Sequence, residues 1–418
     1  MVNTMKREIR QRIEQIRRGE VPDGYKKMKN NILPSDWYKT ALEAAVNFLD
    51  EKRIPIKENE RVAGNYPYYG ASGIIDYVHD YIFDGEYILL GEDGANIIDR
   101  SSPLAFRVSG KCWVNNHAHV LEPKNGFDID YLTQYLENLS YDRYNSGTAQ
   151  PKLNQETCRK IVIIHPSFSE QQKIAKILTT QDKVIELYEK KIEQLQLLKK
   201  VCLQKMFPKE GSSVPELRFP GFTEPWEQHE LGKCCEITTG GTPTTSIIEY
   251  WNPKEIPWLS SGEVHKKRIS YTDDKISSKG LENSSARWVK PYSVLIALAG
   301  QGKTRGTVAI NEIAITTNQS IAAIYPIKHD TEFLYQNLES RYEELRSISS
   351  GDGARGGLNK HILSSIFLPY TEKSEQQKIG SYLYKLDYLI KLHQLLLDEE
   401  KKYKKILLQL LMTGIVRV

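Results

Sequence analysis

Two stretches of the chain carry apolar residues at steps of three and four, the spacing of a long amphipathic helix. In the first stretch these residues are Ile174, Leu178, Ile185, Tyr188, Ile192, Leu195, Cys202 and Met206. In the second they are Ile379, Leu383, Leu386, Ile390, Leu397, Leu407 and Leu411. A seam of this period, sustained over about five heptads, favours a coiled coil over one face of a globule. We expect the two helices to pair antiparallel with each other; two unrelated surface helices are the alternative.

A serine followed three residues later by a glutamine opens each helical stretch, as Ser169 with Gln172 and Ser374 with Gln377. This is the spacing of a capping box, which predicts that the helices begin there. Ahead of each helix, short runs of β-branched and aromatic residues are broken by Gly, Pro, Asn and Asp. That pattern is typical of a loop-rich β or α+β domain.

The chain also contains an internal repeat. The hexapeptide SEQQKI at 169–174 recurs at 374–379, an offset of 205 residues. Matches continue at this offset, for example from Leu153-Asn154 to Leu358-Asn359. The predicted fold is therefore α+β: a tandem duplication of a β-rich domain followed by a long helix, with the two helices paired as an antiparallel coiled coil.

The repeat predicts a division of the chain into five segments. They are an N-terminal helical segment (1–35), a first β-rich domain (36–168), a central helix (169–210), a second β-rich domain (211–373) and a C-terminal helix (374–418). The first segment is mostly Lys, Arg, Glu and Gln, with isoleucines at helical spacing. We interpret it as a piece of the second copy's helical tail that completes a pseudo-cyclic repeat.

Composition excludes several classes of protein. Hydrophobic residues make up 40% of the chain and charged residues 26%, and the net charge is +4, so no global field indicates nucleic acid. The five cysteines include no CxxC pair, and adjacent Cys234 and Cys235 suit a disulfide poorly, so we expect reduced thiols and no metal. No apolar stretch approaches the roughly 20 residues that span a bilayer. We expect a soluble, cytoplasmic protein.

The segment VLIALAGQGKTRG (294–306) resembles the front end of a phosphate-binding loop. Such a loop needs a glycine where Ala297 stands and a helix directly after the lysine and threonine, but Arg305-Gly306-Thr307-Val308 predicts a turn and a strand. The matching segment of the first copy has Ala95-Asn96 in place of Lys303-Thr304. We therefore predict a strand followed by a loop, not a nucleotide site.

Catalytic constellations are not visible in the sequence. There is no HExxH helix and no G-x-S-x-G elbow. The [DN]-P-P-[YFW] turn of amino-methyltransferases is also missing, and the nearest string is Asn252-Pro253-Lys254-Glu255. For His117 and His119, in NNHAHV, a structural or hydrogen-bonding role is favoured over metal binding. We expect a chain without an active site.

In combination, the motifs of both copies resemble the specificity subunits of type I restriction–modification enzymes over nearly the whole chain. In the first copy they are YPYYGASGIIDYV (66–78), LLGEDGAN (89–96), WVNNHAHVL (113–121) and SGTAQPKLNQ (146–155). In the second they are TTGGTPTTSIIEYWNPKEIPWLSSGEV (238–264), TNQSIAAI (317–324) and GGLNKHIL (356–363).

The resemblance implies a DNA-reading scaffold without a cofactor of its own. Each β-rich domain would be a target-recognition domain that reads one half of a bipartite site on double-stranded DNA, and the coiled coil would set the spacer. The implied partners are two methyltransferase subunits, which bring S-adenosylmethionine for adenine-N6 methylation, and restriction–translocase subunits, which use ATP and Mg. A self-contained methyltransferase or nuclease, and a coiled-coil assembly protein without DNA binding, are the alternatives.

For DNA contacts we select loop residues with suitable chemistry at equivalent places in the repeat. Lysine and arginine suit phosphates, whereas Asn, Gln and Thr can read base edges. The candidates of the first domain are Tyr68, Tyr69, Asn96, Asn116, Gln150 and Lys152. Those of the second domain are Thr242, Thr244, Lys303, Arg305, Asn318, Gln319 and Arg355.

Overall fold

A computed structural model describes residues 2–28, 31–147, 150–209, 211–300, 303–348 and 358–418. Contacts divide the chain into two compact units. The first unit combines Met1–Glu189 with Leu396–Val418, and the second is Lys190–Leu395. Each unit therefore contains part of both long helices. Among the described residues, no helix is both long and apolar enough to cross a membrane.

The first half of the chain alternates short helices and strands before its long helix. The helices are α1 (Val2–Arg17), α2 (Leu42–Ala45), α3 (Asn96–Asp99), α4 (Ile129–Glu137), α5 (Gln155–Arg159) and α6 (Phe168–Met206). The strands are β1 (Tyr25–Met28), β2 (Asn31–Pro34), β3 (Tyr38–Ala41), β4 (Val46–Phe48), β5 (Ala63–Gly70), β6 (Gly73–Val78), β7 (Phe83–Gly91), β8 (Ala105–Val114), β9 (Ala118–Pro123) and β10 (Val162–His165).

The second half follows the same plan. Its helices are α7 (Leu231–Cys234), α8 (Ser278–Glu282), α9 (Thr331–Ser340), α10 (Tyr342–Ser347), α11 (Lys360–Ser364) and α12 (Lys373–Met412). Its strands are β11 (Glu227–Glu230), β12 (Cys235–Thr239), β13 (Ile256–Leu259), β14 (Arg268–Ile269), β15 (Asp274–Ile276), β16 (Trp288–Val289), β17 (Val294–Ala297), β18 (Val308–Asn311), β19 (Ile315–Thr317), β20 (Ile321–Pro326) and β21 (Phe367–Tyr370).

The main sheet of the first unit has the order β4-β9-β7-β8-β5-β6. Its central strand β7 is buried on both faces, since Ile88 and Leu90 join one apolar cluster and Leu89 joins another. The first cluster includes Leu132 and Leu136 of α4, which covers that face of the sheet. Burial on both faces explains why the second half of β7, residues 87–90, reads as a short apolar run.

The second unit repeats this arrangement in a sheet of order β12-β20-β17-β18-β14, beside a smaller one of order β15-β13-β19-β16. Its strands β12-β20-β17-β18 correspond to β4-β9-β7-β8 in order, and both sets are antiparallel. In β17, Val294 and Ile296 face one cluster, whereas Leu295 and Ala297 face another. The predicted α+β tandem duplication is confirmed.

In the first unit, the N-terminal half of α6 lies antiparallel to the C-terminal half of α12. Ile174 of α6 packs with Leu411 of α12. Farther along α6, the Asp182 carboxylate lies 2.5 Å from the Lys404 ammonium of α12. Gln134 of α4 donates to the same carboxylate at 2.6 Å. The helix pair is thus tied to the sheet domain through one shared acid.

The second unit contains the equivalent ion pair, with the lysine now on α6 and the aspartate on α12. Lys199 of α6 lies 2.6 Å from the Asp387 carboxylate of α12 and 2.6 Å from that of Glu339. Gln336 of α9 donates to Asp387 at 2.7 Å. Lys199 and Asp387 stand 205 residues from Lys404 and Asp182 respectively. The predicted antiparallel pairing of the helices is therefore confirmed within each unit.

The predicted capping boxes are wrong, because Ser169 and Ser374 lie inside helices that begin one residue earlier. The glutamines that anchor the helix starts are Gln171 and Gln376 instead. Their side-chain oxygens accept from the backbone N–H of Asp128 and Asp330, at 3.0 and 2.8 Å. Burial against the domain, rather than the local cap, fixes where each helix starts.

The beginning and end of the described chain meet in the first unit. Arg12 donates to the Ile415 carbonyl at 2.6 Å, and Arg417 forms a two-pronged ion pair with Glu170 at 2.6 and 2.8 Å. In the second unit Arg218 pairs in the same way with Glu375, 205 residues on from Glu170. In a pseudo-cyclic repeat, Arg417 from the end of the chain takes the place in the first unit that Arg218 has in the second. The five-segment division stays a prediction.

Candidate nucleic-acid interface

Three loops of the first unit converge at one end of its sheet. The segment that leaves β7 is joined to the β8–β9 turn by a hydrogen bond from the Glu92 N–H to the His117 carbonyl, 2.8 Å. The Glu92 carbonyl accepts from the N–H of Leu153, just ahead of α5, at 2.7 Å. We call this surface the first platform; its segments are residues 91–96, 115–117 and 150–154.

The second unit builds the same surface from equivalent loops. The Leu298 N–H donates to the Ser320 carbonyl at 2.8 Å, and the Leu298 carbonyl accepts from the Leu358 N–H at 3.2 Å. A further bond, from the Gly241 N–H to the Thr317 carbonyl at 2.8 Å, adds the loop after β12. We call this surface the second platform; its segments are residues 240–244, 298–300, 318–320 and 358–359.

A network of charged groups joins the segments of the first platform to one another and to Arg53. Arg53 donates to the Glu92 carboxylate at 2.8 Å and to the Ala118 carbonyl at 2.8 Å. Glu92 also faces the Lys152 ammonium at 3.3 Å. At the surface, the His117 ring lies 2.9 Å from the Asp93 carboxylate. These pairs fix the three loops relative to one another.

His119 is the buried centre of this support. One ring nitrogen lies 2.7 Å from the Asp50 carboxylate and the other 2.8 Å from the Leu153 carbonyl. Burial alone would lower the pKa of His119, but the hydrogen bond with Asp50 raises it to about 10. Burial acts to raise the pKa of Asp50, yet His119 and the Val120 N–H hold it below its ordinary value. The structural or hydrogen-bonding role expected for both histidines is thus observed: His119 holds the buried network, and His117, in the turn before β9, pairs with Asp93.

The structure brings most candidates of the first domain together. Asn116, Gln150 and Lys152 are exposed on the first platform. Asn96 is half-buried there and holds its loop, since its side chain accepts from the Ser102 N–H at 2.9 Å and donates to the Pro103 carbonyl at 3.3 Å.

The two tyrosines of the same candidate set differ in burial, and Tyr68 requires correction. Tyr68 is 1% exposed, and its hydroxyl accepts from the Ile56 N–H at 3.0 Å. A direct DNA contact by Tyr68 is incompatible with this packing. Tyr69 is half-buried and packs 6.0 Å from the Phe106 ring. We leave Tyr68 out of the interface, because its ring fills the sheet domain. A DNA contact by Tyr69 stays a prediction.

On the second platform, the Thr242 hydroxyl donates to the Gln319 side-chain oxygen at 2.6 Å, across 77 residues. Asn318 is half-buried and closes its turn by accepting from the Ser320 N–H at 3.1 Å. Thr244 is exposed on the adjoining loop, where its carbonyl accepts from the Trp251 indole at 3.3 Å.

The basic candidates lie on the loop between β17 and β18. These strands pair antiparallel, and the described residues between them form a turn, as predicted for a strand-loop rather than a phosphate loop. Lys303 is exposed and its carbonyl accepts from the Tyr342 hydroxyl at 2.9 Å; Arg305 is half-buried. Arg355 lies outside the described residues.

Arg53, Glu92 and Asp93 support the platform, although the sequence patterns did not single them out. The acids follow β7 directly, within the motif at 89–96. Arg53, by contrast, is far from them in sequence, and its role emerges only when β4 pairs with β9.

Comparison with known proteins gives the family. The family model described as Type I restriction modification DNA specificity domain matches residues 34–197 and 223–400. The specificity subunit of the type I restriction enzyme MjaVIII from Methanocaldococcus jannaschii is 25% identical over 415 residues, covering 95% of this chain and 96% of that one. A Haemophilus influenzae relative is 38% identical over 137 residues, and this alignment spans 35% of its length.

A solved structure has the same fold. The type I restriction–modification S subunit from M. genitalium superposes with a TM-score of 0.64 at 15% identity, covering 92% of this chain and 98% of that one. The chain therefore belongs to the type I restriction–modification specificity subunit family, whose members are non-catalytic.

Proposed function

We propose that this specificity subunit reads a two-part target on double-stranded DNA, with one half contacted by each platform. The observation that carries the proposal is the repetition of the platform. Two equivalent backbone hydrogen bonds assemble each one, through Glu92 in the first unit and Leu298 in the second. The backbone frame is constant, while the side chains that it presents differ, as two different half-sites require.

The side chains presented on the platforms have the chemistry of base readout. Amides such as Asn116 and Gln150 can pair with the donor and acceptor on the edge of adenine, and the Thr242–Gln319 pair offers the same groups. Lys152 and Lys303 are exposed cations suited to phosphate. Contacts of the first kind specify sequence, and contacts of the second kind position the duplex.

The helices support the second part of the proposal, a spacer ruler that docks methyltransferase subunits. Large apolar side chains stand exposed along both long helices, although most of the seam is buried. In the second unit they are Leu197, Leu198, Val201, Tyr384, Tyr388, Leu389, Leu392 and Leu395. In the first unit they are Phe168, Leu187, Leu396, Tyr403 and Ile406. Exposed apolar side chains in this number on a helix pair are expected where another protein binds.

The proposed partners supply the chemistry. Two methyltransferase subunits would bring S-adenosylmethionine and methylate adenine at N6 after flipping it from the stack. Restriction–translocase subunits would bring ATP and Mg. This chain would contribute target choice and geometry, with no cofactor of its own.

The test is modification mapping. The chain is expressed with its cognate methyltransferase subunit in a host without adenine methylation, and modified bases are mapped across the genome. We expect a two-part motif with methyladenine in both halves, present only when both chains are made. A one-part motif, or methylation by the partner alone, would contradict the proposal.

Two simpler assays test the alternatives, a self-contained enzyme and an assembly protein without DNA binding. The purified chain incubated with DNA and labelled S-adenosylmethionine should transfer no methyl group, whereas a self-contained enzyme would transfer one. Its DNA binding should weaken steeply with salt, which an assembly protein without DNA contacts would not show.

A further inference from the structure

The second unit contains a buried cluster of two thiols and an imidazole. The Sγ atoms of Cys234 and Cys235 and a ring nitrogen of His329 all lie within 4.8 Å of one another. Cys234 ends α7, Cys235 begins β12, and His329 lies between β20 and α9. The sequence alone predicts no metal site at the cysteines, because the imidazole is about 95 residues away and joins them only when β12 pairs with β20.

In the described part of the chain the His329 ring nitrogens make no hydrogen bond of ordinary geometry, and the polar group that they face is the Cys234 thiol of the same cluster. It is 2% exposed, and both ring nitrogens are buried and unsatisfied. Other buried histidines are satisfied: both ring nitrogens of His119 and of His165 have partners. A buried polar group without a partner is costly, so the unsatisfied nitrogens of His329 point to a ligand.

The sulfur geometry suits zinc. The two Sγ atoms are 3.9 Å apart. Around a tetrahedral zinc ion with Zn–S bonds of about 2.3 Å, two sulfurs lie roughly 3.8 Å apart. Two thiolates and one imidazole form an established zinc ligand set, with the fourth position left to another group.

The first copy shows that the architecture does not require this cluster. Ala45 ends α2 and Val46 begins β4, as the cysteines do for α7 and β12. Phe127 precedes the Asp128 cap of α4, as His329 precedes the Asp330 cap of α9. The equivalent positions of the domain therefore hold apolar side chains in the first copy and three potential metal ligands in the second.

We propose that Cys234, Cys235 and His329 bind a zinc ion. Both thiols release their protons to solvent on binding, and neutral His329 ligates through one ring nitrogen. The ion cross-links the start of edge strand β12 to the segment ahead of α9. It stabilises the second unit and is independent of the function proposed above.

The test uses the full chain, purified with reductant, stripped by a chelator and reloaded with Zn²⁺. Metal content is measured by mass spectrometry and the melting temperature by calorimetry. The informative variant carries the first-copy residues, Cys234→Ala, Cys235→Val and His329→Phe together. The control is Cys112→Ser, which removes a buried thiol outside the cluster.

We expect about one zinc ion per chain in the wild type and in the control, and none in the triple variant. Zinc should raise the melting temperature only where it binds. His329→Phe alone, which keeps both thiols, should weaken zinc binding by more than the roughly tenfold cost of losing an outer-shell partner. A wild type that binds no zinc, or zinc binding equal in the wild type and either cluster variant, overturns the proposal.

Discussion

At the scale of single residues, the sequence predicted chemistry better than placement. Asn116, Gln150 and Lys152 reach one exposed surface, as their repeat positions indicated. Tyr68 does not, because alternation along β5 turns its ring into the core. Which face of a strand a tyrosine takes depends on pairing register, which a sequence with polar and aromatic residues on both faces does not specify.

Lys303 tests whether the β17–β18 loop contacts phosphate. Because a phosphate contact releases counterions, Lys303→Ala should weaken binding about equally for all sequences and reduce the salt slope by about 1. The measurement is DNA affinity against salt concentration for the subunit with its methyltransferase partner. Lys279→Ala, an exposed lysine of α8 paired with Glu249, is the control. An unchanged slope for the Lys303 variant would remove this residue from the interface.

His119 gives the first unit a pH dependence. Its folded pKa of about 10 exceeds the unfolded value of about 6.5. Protonated His119 therefore stabilises the unit fully below about pH 6.5, and this contribution is lost as pH rises towards 10. We expect the melting temperature of the wild type to fall more steeply over that range than that of His119→Asn. Parallel curves for the two proteins would show that the Asp50–His119 pair contributes nothing to the pH dependence.

At the scale of elements, the helices and the repeat could be predicted from the sequence. The helices follow from apolar residues at steps of three and four, and the repeat follows from a recurring hexapeptide. The 205-residue offset of SEQQKI is enough to identify the two long helices as equivalent. What fixes those helices to the domains could not be predicted. The contacts of Gln171 and of Lys199 join segments far apart in sequence, and a glutamine or lysine on a helix carries no local sign of burial.

The Lys199 contact contributes to the stability of the second unit. Replacing Lys199 by methionine leaves the carboxylates of Glu339 and Asp387 without their shared cation. We expect a loss of about 3 kcal/mol in unfolding free energy, since the Asp387 carboxylate loses its cation in a largely buried position. Lys401→Met, which breaks a half-exposed pair with Glu189, should cost less than about 1 kcal/mol. Denaturant unfolding measures both, and equal losses would contradict this account.

At the scale of the whole molecule, duplication explains the organisation. Each unit takes the start of one long helix and the end of the other, and each platform is assembled by equivalent backbone hydrogen bonds. The chain thus presents one frame twice with different side chains, which is what reading an asymmetric two-part target requires.

The measurement that tests this claim most directly is modification mapping of paired platform variants. One variant carries Asn116→Ala and Gln150→Ala, and the other carries Thr242→Ala and Gln319→Ala. The matched control is Asn125→Ala, an exposed amide beyond the opposite end of β9. We predict that each pair relaxes one half of the methylated motif and leaves the other half and the spacer intact, whereas the control changes nothing. Loss of specificity in both halves from either pair, or an unchanged motif from both, would contradict the assignment of one half-site to each platform.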